Sequence, residues 1–241
     1  MSLLNLQCVT KTFGGLTAVN GLSFSLEKGE IVGLIGPNGS GKTTAFHLIS
    51  GFHLLSSGDI TFAGKSLVGL KPHQICHRGI GRTFQIVQPF NNLTVLENVR
   101  VGAFRSTRDP DSAAHEAAAI LDMLSLAPKR DFFPTSLTIG DRKRLELARA
   151  LATKPRLLLL DEVMAGLTPT ETAEIIELIR RIHAGGMTLL IIEHVMQAIM
   201  SLSQRIVVLH HGEKICEGTP QEVSRDAEVI KAYLGEEYLS A

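Results

Sequence analysis

The sequence carries no excess of charge of either sign, with 24 acidic and 24 basic side chains in 241 residues. That balance removes the case for a global electrostatic partner such as nucleic acid or an anionic membrane surface; any such affinity would have to be local. Cysteine is scarce. Cys8, Cys76 and Cys216 are odd in number, widely spaced and outside any metal-ligand pattern, which suits a reducing cytosol better than a disulfide framework, and all three read as packing residues. No apolar run approaches the ~18–20 residues of a membrane span. Met1–Asn5 has no basic n-region ahead of an apolar core, so the chain is expected to be soluble by itself. Internal repeats and low-complexity tracts are also missing. What remains is ordinary globular material, 44% hydrophobic and 20% charged, enough to bury a full core as one large domain or two lobes.

One stretch stands out against that background. Gly36-Pro37-Asn38-Gly39-Ser40-Gly41-Lys42-Thr43 fits G-x-x-x-x-G-K-[ST], follows the apolar run Ile31–Ile35 and precedes the helix-compatible Thr44–Ile49. Strand, loop and helix are the context a phosphate-binding loop requires. Its glycines let backbone N–H groups turn inward as an anion nest, and a helix beginning near Lys42 points its positive dipole end at the same place. Lys42 adds a full charge near the β/γ-phosphates, and Thr43 offers a hydroxyl to Mg²⁺. The eight loop residues and Thr44 are therefore candidate contacts for the phosphates of a nucleotide with Mg²⁺, and the loop by itself leaves open which kind of nucleotide machine carries it.

The rest of the chain supplies a sheet and a helical lobe. Leu22, Phe24 and Leu26 alternate with polar residues as a half-buried strand, Lys28-Gly29-Glu30 reads as a tight turn, and Ile60 and Phe62 form another strand after a turn at Ser56–Asp59. Phe13, in a loop spanning residues 11–15, could lie against a purine or simply plug the core. Pro72–His77 reads as a short helix ended by Gly79, and Gly81–Gln85 as a strand-like piece that delivers Gln85 to a loop with Pro89, Asn91 and Asn92. From about Thr94 to Pro155 the pattern is helical, with Ala117, Ile120, Leu121 and Leu124 on one face. This lobe, residues 94–155, reads as inserted into a sheet domain of residues 1–93 and 156–241. The triplet Arg142-Lys143-Arg144 reads as a solvated helix face, because no aromatic stacking residues accompany it.

Leu157–Leu160 is a fully apolar run that ends in Asp161-Glu162, the pattern of a buried parallel strand delivering acids to its carboxyl end, where ligands bind. Thr168-Pro169-Thr170-Glu171 is a capping box opening a helix striped by Ile175, Leu178, Ile179 and Ile182 and stopped by Gly185-Gly186. Met187–Ile192 is the next buried strand and ends at Glu193-His194. Residues 205–210 and 213–217 flank a His211-Gly212 turn as a hairpin, and the capping box Thr219–Glu222 opens one C-terminal helix to about Leu234. Nucleotide hydrolysis needs phosphate positioning, Mg²⁺ and a group to orient the attacking water. Asp161 is suited to holding Mg²⁺ through water, and Glu162 to polarising the attacking water.

Taken together, the P-loop, Gln85, the element Leu137-Thr138-Ile139-Gly140-Asp141 ahead of a basic helix, the Asp161-Glu162 pair and His194 closely resemble an ABC-transporter ATP-binding cassette, from about Leu3 to Leu234. The resemblance implies an α/β P-loop NTPase with a RecA-like core, an N-terminal antiparallel β subdomain and an inserted helical subdomain. It implies an ATPase in which Glu162, His194 and Gln85 are catalytic, His194 contacts the γ-phosphate, Gln85 joins Thr43 and Asp161 at Mg²⁺, and Phe13 stacks on adenine. The family works as a head-to-tail dimer, so a second ATP-binding subunit, identical or different, would meet the γ-phosphate with its Thr138 and Gly140; Ala165–Thr168 takes the D-loop position. Permease chains would supply the membrane path, with residues 86–100, Pro89 and Phe90 among them, in the groove facing them. A substrate-binding protein would act indirectly, nucleic acid would not be a partner, and the subunit would lie peripherally on the cytoplasmic face of the membrane. Arg82–Gln85, Leu93–Val99, Glu193–Met196, Glu217–Pro220 and Ala232–Gly235 look like the Liv-type ATPases of bacterial branched-chain amino acid importers.

Two departures from the family pattern stand out. Where the usual signature is Leu-Ser-Gly-Gly-Gln, Thr138 replaces serine, Ile139 the first glycine and Asp141 glutamine; the D-loop segment ends in Thr168 where an acid is common. Thr138 is read as the N-cap of the basic helix and Asp141 as its N3 acid, which complements the helix dipole but offsets its attraction for a γ-phosphate. The alternative for Asp141 is a salt-bridge cluster with Arg142 and Arg144. A second functional reading is a soluble cassette of an assembly system such as iron–sulfur cluster biogenesis, from which residues 86–100 discriminate. A small GTPase or kinase fares worst, since no Asn-Lys-x-Asp or Thr-Lys-x-Asp motif is present.

Overall fold

A computed structural model describes residues 2–234, which fall into two units: one runs to Arg78 and resumes at Thr188, and the other is Gly79–Met187. In the first unit, β1 (Ser2–Phe13) and β2 (Leu16–Glu27) form a long hairpin, and β4 (Ser57–Phe62) and β5 (Lys65–Ser66) extend it to an antiparallel sheet of order β2-β1-β4-β5. Phe13 is thus the last residue of a strand and not part of a loop, and Ser57–Asp59, read as a turn, are already strand. The alternation of β1 is hard to see because a bulge interrupts it: Cys8 has φ +46, and the register slips between Leu6 and Val9. The bulge also turns Cys8 outward, so it is exposed rather than packed; Cys76 and Cys216 are half-buried, and all three are free thiols.

The same unit contains β3 (Ile31–Ile35), whose parallel neighbours are β8 (Thr188–Ile192) and β9 (Arg205–His210), with β10 (Glu213–Gly218) antiparallel on β9. Every residue of β3 and β8 is buried, which is why both read as unbroken apolar runs. The helices of this unit are α1 (Lys42–Ile49), α2 (Pro72–Arg78), α7 (Met196–Leu202), α8 (Pro220–Val223) and α9 (Ala227–Leu234). The C-terminal helix expected as one piece is therefore two. Thr219 and Glu222 do form the capping box of α8, but Asp226 then accepts the N–H groups of Glu228 and Val229 and starts a new helix.

The second unit opens with β6 (Ile80–Arg82), parallel to β7 (Leu157–Asp161) in the register Ile80↔Leu157 to Arg82↔Leu159. Between them in sequence come α3 (Val95–Ala103), α4 (Pro110–Met123) and α5 (Ile139–Ala152), which pack on one another; α6 (Pro169–Ala184) follows β7. Ala117, Leu121 and Leu124 are buried as the amphipathic stripe requires, with Ile120 at its half-buried edge. The α3–α5 contact is close enough to demand glycine: a Cβ on Gly102 would stand 2.6 Å from the carbonyl oxygen of Arg149.

Candidate functional site

The phosphate-binding loop is shaped by its own backbone. Gly36 leaves β3 at φ +150, and a Cβ there would lie 2.0 Å from the Leu209 carbonyl oxygen; Gly41, at φ +101, would meet the Ala18 carbonyl oxygen at 2.4 Å. Gly41 is also the N-cap of α1 and offers its first N–H groups no side chain. The buried Lys42 folds back over the loop, donating to the carbonyl oxygens of Gly36 (2.7 Å) and Pro37 (2.9 Å) and contacting Ser40 Oγ at 3.4 Å. Asn38, Gly39 and Thr43 are exposed, and Thr44 is half-buried. Because β8 runs parallel beside β3, Glu193 and the exposed His194 emerge at the same end of the sheet as the loop. Phe13 stands at the tip of β1 with its ring edge-on to His53 (5.1 Å between centroids) and Lys11 Nζ 4.7 Å from its centre.

In the other unit the carboxyl ends of β6 and β7 gather a second set of groups. Beyond β6, Thr83 N–H donates to the Leu159 carbonyl oxygen (2.9 Å) and Asp161 N–H to Thr83 Oγ1 (3.0 Å), so the chain stays beside β7. That brings Gln85 to Glu162, with Nε2 donating to Oε2 at 2.7 Å. Asp161 pairs with Arg82 at 2.8 Å, the two side chains only 2% and 6% exposed. Burial pushes the Asp161 carboxyl above its usual value and the Arg82 guanidinium below its own, each partner's charge pulling the other back. Asp161 Oδ1 is buried and makes no hydrogen bond among the described residues.

Helix α5 supplies groups to this set that the sequence did not reveal. Lys143, read as part of a solvated face, is buried, and its Nζ donates to the carbonyl oxygens of Glu162 (3.0 Å) and Gln85 (3.2 Å). One turn on, Glu146 accepts the N–H of Phe84 at 2.5 Å, and burial lifts its carboxyl to about 7 against the pull of Arg149, Lys143 and Arg82. Arg149 donates to the Gln88 carbonyl oxygen (2.9 Å) and lies 4.9 Å over the half-exposed ring of Phe90. From α3, Asn98 closes the same loop, accepting Phe90 N–H and donating to the carbonyl oxygens of Phe90, Leu93 and Thr94. A spacing rule could have singled out Lys143, Glu146 and Arg149, which follow one another at i, i+3 and i+6 on a single helix face; their burial is set by residues 82–90, which no local pattern shows.

At the start of α5, Thr138 is the N-cap and accepts Asp141 N–H at 3.2 Å. Asp141 takes the Thr138 hydroxyl (2.8 Å) and an ion pair with Lys129. The expected cluster with Arg142 and Arg144 does not form: Arg142 is committed to the carbonyl oxygens of Pro134 and Thr135, and Arg144 to Glu174. Burial would raise the Asp141 carboxyl, but the hydrogen bonds from Lys129 and Thr138 outweigh it and hold the group below its usual range. A Cβ on Gly140 would sit 2.8 Å from Glu171 Oε1, the far end of a side chain that could turn aside to admit it. Glu171 in turn completes the capping box with Thr168 that opens α6. The structure thus groups the loop of residues 36–44 with Phe13 and His194 in one unit, and Gln85, Asp161, Glu162, Thr138 and Gly140 in the other.

Comparison with known proteins gives this arrangement a family. Residues 19–165 match the ABC transporter family, and residues 213–238 match the branched-chain amino acid ATP-binding cassette transporter family. The chain is 41% identical to the high-affinity branched-chain amino acid transport ATP-binding protein LivG of Salmonella typhimurium, over 97% of this chain and 98% of that one. Among solved structures, the ADP conformation of MJ1267, an ATP-binding cassette of an ABC transporter, superposes with a TM-score of 0.88 at 33% identity, covering 98% of this chain and 100% of that one. A dimeric post-hydrolysis state of the cassette MJ0796 bound to ADP and Pi gives 0.82 at 25% identity, covering 90% and 98%. A P-loop cassette fold matched along nearly its whole length places the chain in the ABC transporter family, as one of its ATP-hydrolysing cassettes.

Proposed function

We propose that this cassette is the ATPase subunit of an importer for branched-chain or related amino acids. The observation that carries the reading is the match of residues 213–238 to cassettes of branched-chain amino acid transporters, in a segment beyond the general ABC match. The relative from Salmonella typhimurium, named for the same transport, supports it. No helix among the described residues is long and apolar enough to cross a membrane, so the path for substrate would be provided by permease chains. Ile86 and Phe90, exposed on the loop pinned by Arg149 and Asn98, would be the apolar contacts offered to them from residues 86–100. The subunit would then be peripheral on the cytoplasmic face, with a substrate-binding protein acting through the permease.

ATP would be held by the loop from Gly36 to Thr44, with Lys42 exchanging its contacts to the loop carbonyls for phosphate oxygens and Phe13 against adenine. Mg²⁺ would be held by hard oxygens of the kind the Thr43 hydroxyl, the Gln85 amide and Asp161 supply, and the buried Oδ1 of Asp161 makes no hydrogen bond among the described residues. When bound, the ion neutralises the charge that develops on the transferred phosphoryl group. Glu162 would polarise the attacking water, its carboxylate oriented by Gln85, and His194 would contact the γ-phosphate. A second ATP-binding subunit would bring its Thr138 and Gly140 to that phosphate, a reading supported by the dimer reported for MJ0796. Affinity purification from membranes tests the proposal: co-purification of a polytopic permease is expected. Recovery with a soluble scaffold alone would transfer the support to an assembly ATPase.

A further inference from the structure

We infer that Lys143 is the positioning residue that holds Gln85 and Glu162 in register for hydrolysis, acting on their main chains; the inference rests on the roles proposed above for those two residues. The Lys143 side chain leaves α5 and is 7% exposed, with its ammonium donating to the Glu162 carbonyl oxygen at 3.0 Å and to the Gln85 carbonyl oxygen at 3.2 Å. The same two residues are joined through their side chains, Gln85 Nε2 to Glu162 Oε2 at 2.7 Å. Backbone and side-chain bonds therefore close a ring in which Lys143 is the one member contributed by α5.

A second observation gives that ring a task. Glu162 adopts φ +48, a left-handed conformation that is costly for a residue with a Cβ. Such a conformation persists only where the surroundings over-determine it. The Glu162 carbonyl oxygen is fixed by Lys143 and by the N–H of Ala165 (3.2 Å), and its side chain by Gln85. Relaxation to an ordinary strand conformation would swing the carboxylate away from Gln85. Packing alone does not require an ammonium here, because an apolar side chain of the same length would fill the space without burying a charge. The carboxylates of Asp161 and Glu146 share the field of this charge, so the cation also ties the end of β7 to α5, the helix that Thr138 and Gly140 begin.

The test uses the full chain and compares Lys143→Met, Lys143→Arg and Glu162→Gln by steady-state ATPase kinetics, ATP binding and thermal melting. Lys143→Met is expected to lower kcat by about 10–100-fold, the scale of a misplaced reacting group, with KM and ATP affinity within two-fold of wild type. Lys143→Arg, which keeps donors for both carbonyls, should recover at least a third of wild-type kcat. Should the Met chain not fold, Lys143→Leu, which likewise offers no donor, is read by the same criteria. A kcat within two-fold of wild type, a loss confined to KM, or an Arg variant no better than Met overturns the inference. Glu162→Gln separates the two levels: if it turns over normally, the role of Glu162 is wrong, and if it stalls while Lys143→Met does not, only the role of Lys143 is.

Discussion

Two buried lysines show how differently the two halves of this cassette are built. Lys42 and Lys143 each rest their ammonium on two main-chain carbonyl oxygens, but those of Lys42 lie six and five residues away in its own loop, whereas those of Lys143 lie 58 and 19 residues away. The first site is a contiguous backbone device, its glycines forced by the approach of Leu209 and Ala18. The second is assembled from residues 82–85, 143–149 and 161–162, and its geometry exists only once three segments have met. A local device can be lost by one substitution inside it. A distributed one should lose position and stability before it loses affinity.

The largest effects should separate along that line. Lys42→Ala removes the charge the loop offers to phosphate, and ATP affinity should fall by at least about ten-fold, the scale of a charge-assisted hydrogen bond. Glu162→Gln should keep ATP affinity within a few-fold while turnover drops by about 10²–10⁴, the range of a lost general base. Nucleotide titration beside steady-state turnover distinguishes the two, and a Glu162→Gln chain that hydrolyses normally would remove that residue from the chemistry.

Next comes the stability of the distributed site. Arg82→Met strands Asp161 as a buried carboxylate, which should lower unfolding free energy by about 3–5 kcal/mol in urea titrations. Asp161→Asn/Arg82→Met, with neither charge left, should recover much of that loss. A single variant as stable as wild type would mean that water already reaches Asp161.

The same contrast decides what could be read from the amino-acid order. The P-loop, the apolar strands β3, β7 and β8, and the capping boxes at Thr168 and Thr219 are each specified within a dozen residues, and each is found where periodicity and capping put it. The N-terminal strand was missed because the Cys8 bulge breaks its alternation, and the C-terminal helix was drawn too long because the cap at Asp226 lies inside an otherwise helical pattern. Arg142, Lys143 and Arg144 look equivalent in sequence. Only the arrival of residues 84–85 and 162 buries Lys143, while Arg142 and Arg144 turn to other partners. Charge alone cannot carry that information.

A smaller effect isolates the buried carboxyl of α5. Glu146 titrates at about 7 in the folded chain against an ordinary value of 4.5, with Arg82, Lys143 and Arg149 facing it. The folded state therefore holds the proton more tightly. Stability from this group is complete below pH 4.5 and is lost as pH rises through about 7, where burial of the ionised form is resisted. Glu146→Gln, which can still accept the Phe84 N–H, should narrow the gap in melting temperature between pH 5.5 and pH 8, by about a few degrees. An unchanged gap would place the titration elsewhere.

The finest test concerns the signature element, where a carboxylate stands in the first turn of a helix proposed to face the partner's nucleotide. Asp141 complements the α5 dipole, an effect of roughly 0.3–1 kcal/mol, and its pKa lies below the usual range, so the group is ionised at neutral pH. That charge would repel a γ-phosphate, but Lys129 pairs with it from the more exposed side, 38% against 8% for the side chains. With Lys129 in place, Asp141→Gln in the hydrolysis-deficient Glu162→Gln background leaves that ammonium uncompensated and should lower the ATP midpoint of dimerisation by about two- to five-fold. Lys129→Met in the same background leaves the carboxylate uncompensated and should raise that midpoint by about two- to five-fold, the factor that 0.3–1 kcal/mol allows. Adding Asp141→Gln to Lys129→Met should bring it back. A Lys129→Met midpoint equal to the parent's would show that the first turn of α5 never meets a nucleotide; a raised midpoint that Asp141→Gln fails to reverse would assign the effect to Lys129 touching phosphate directly.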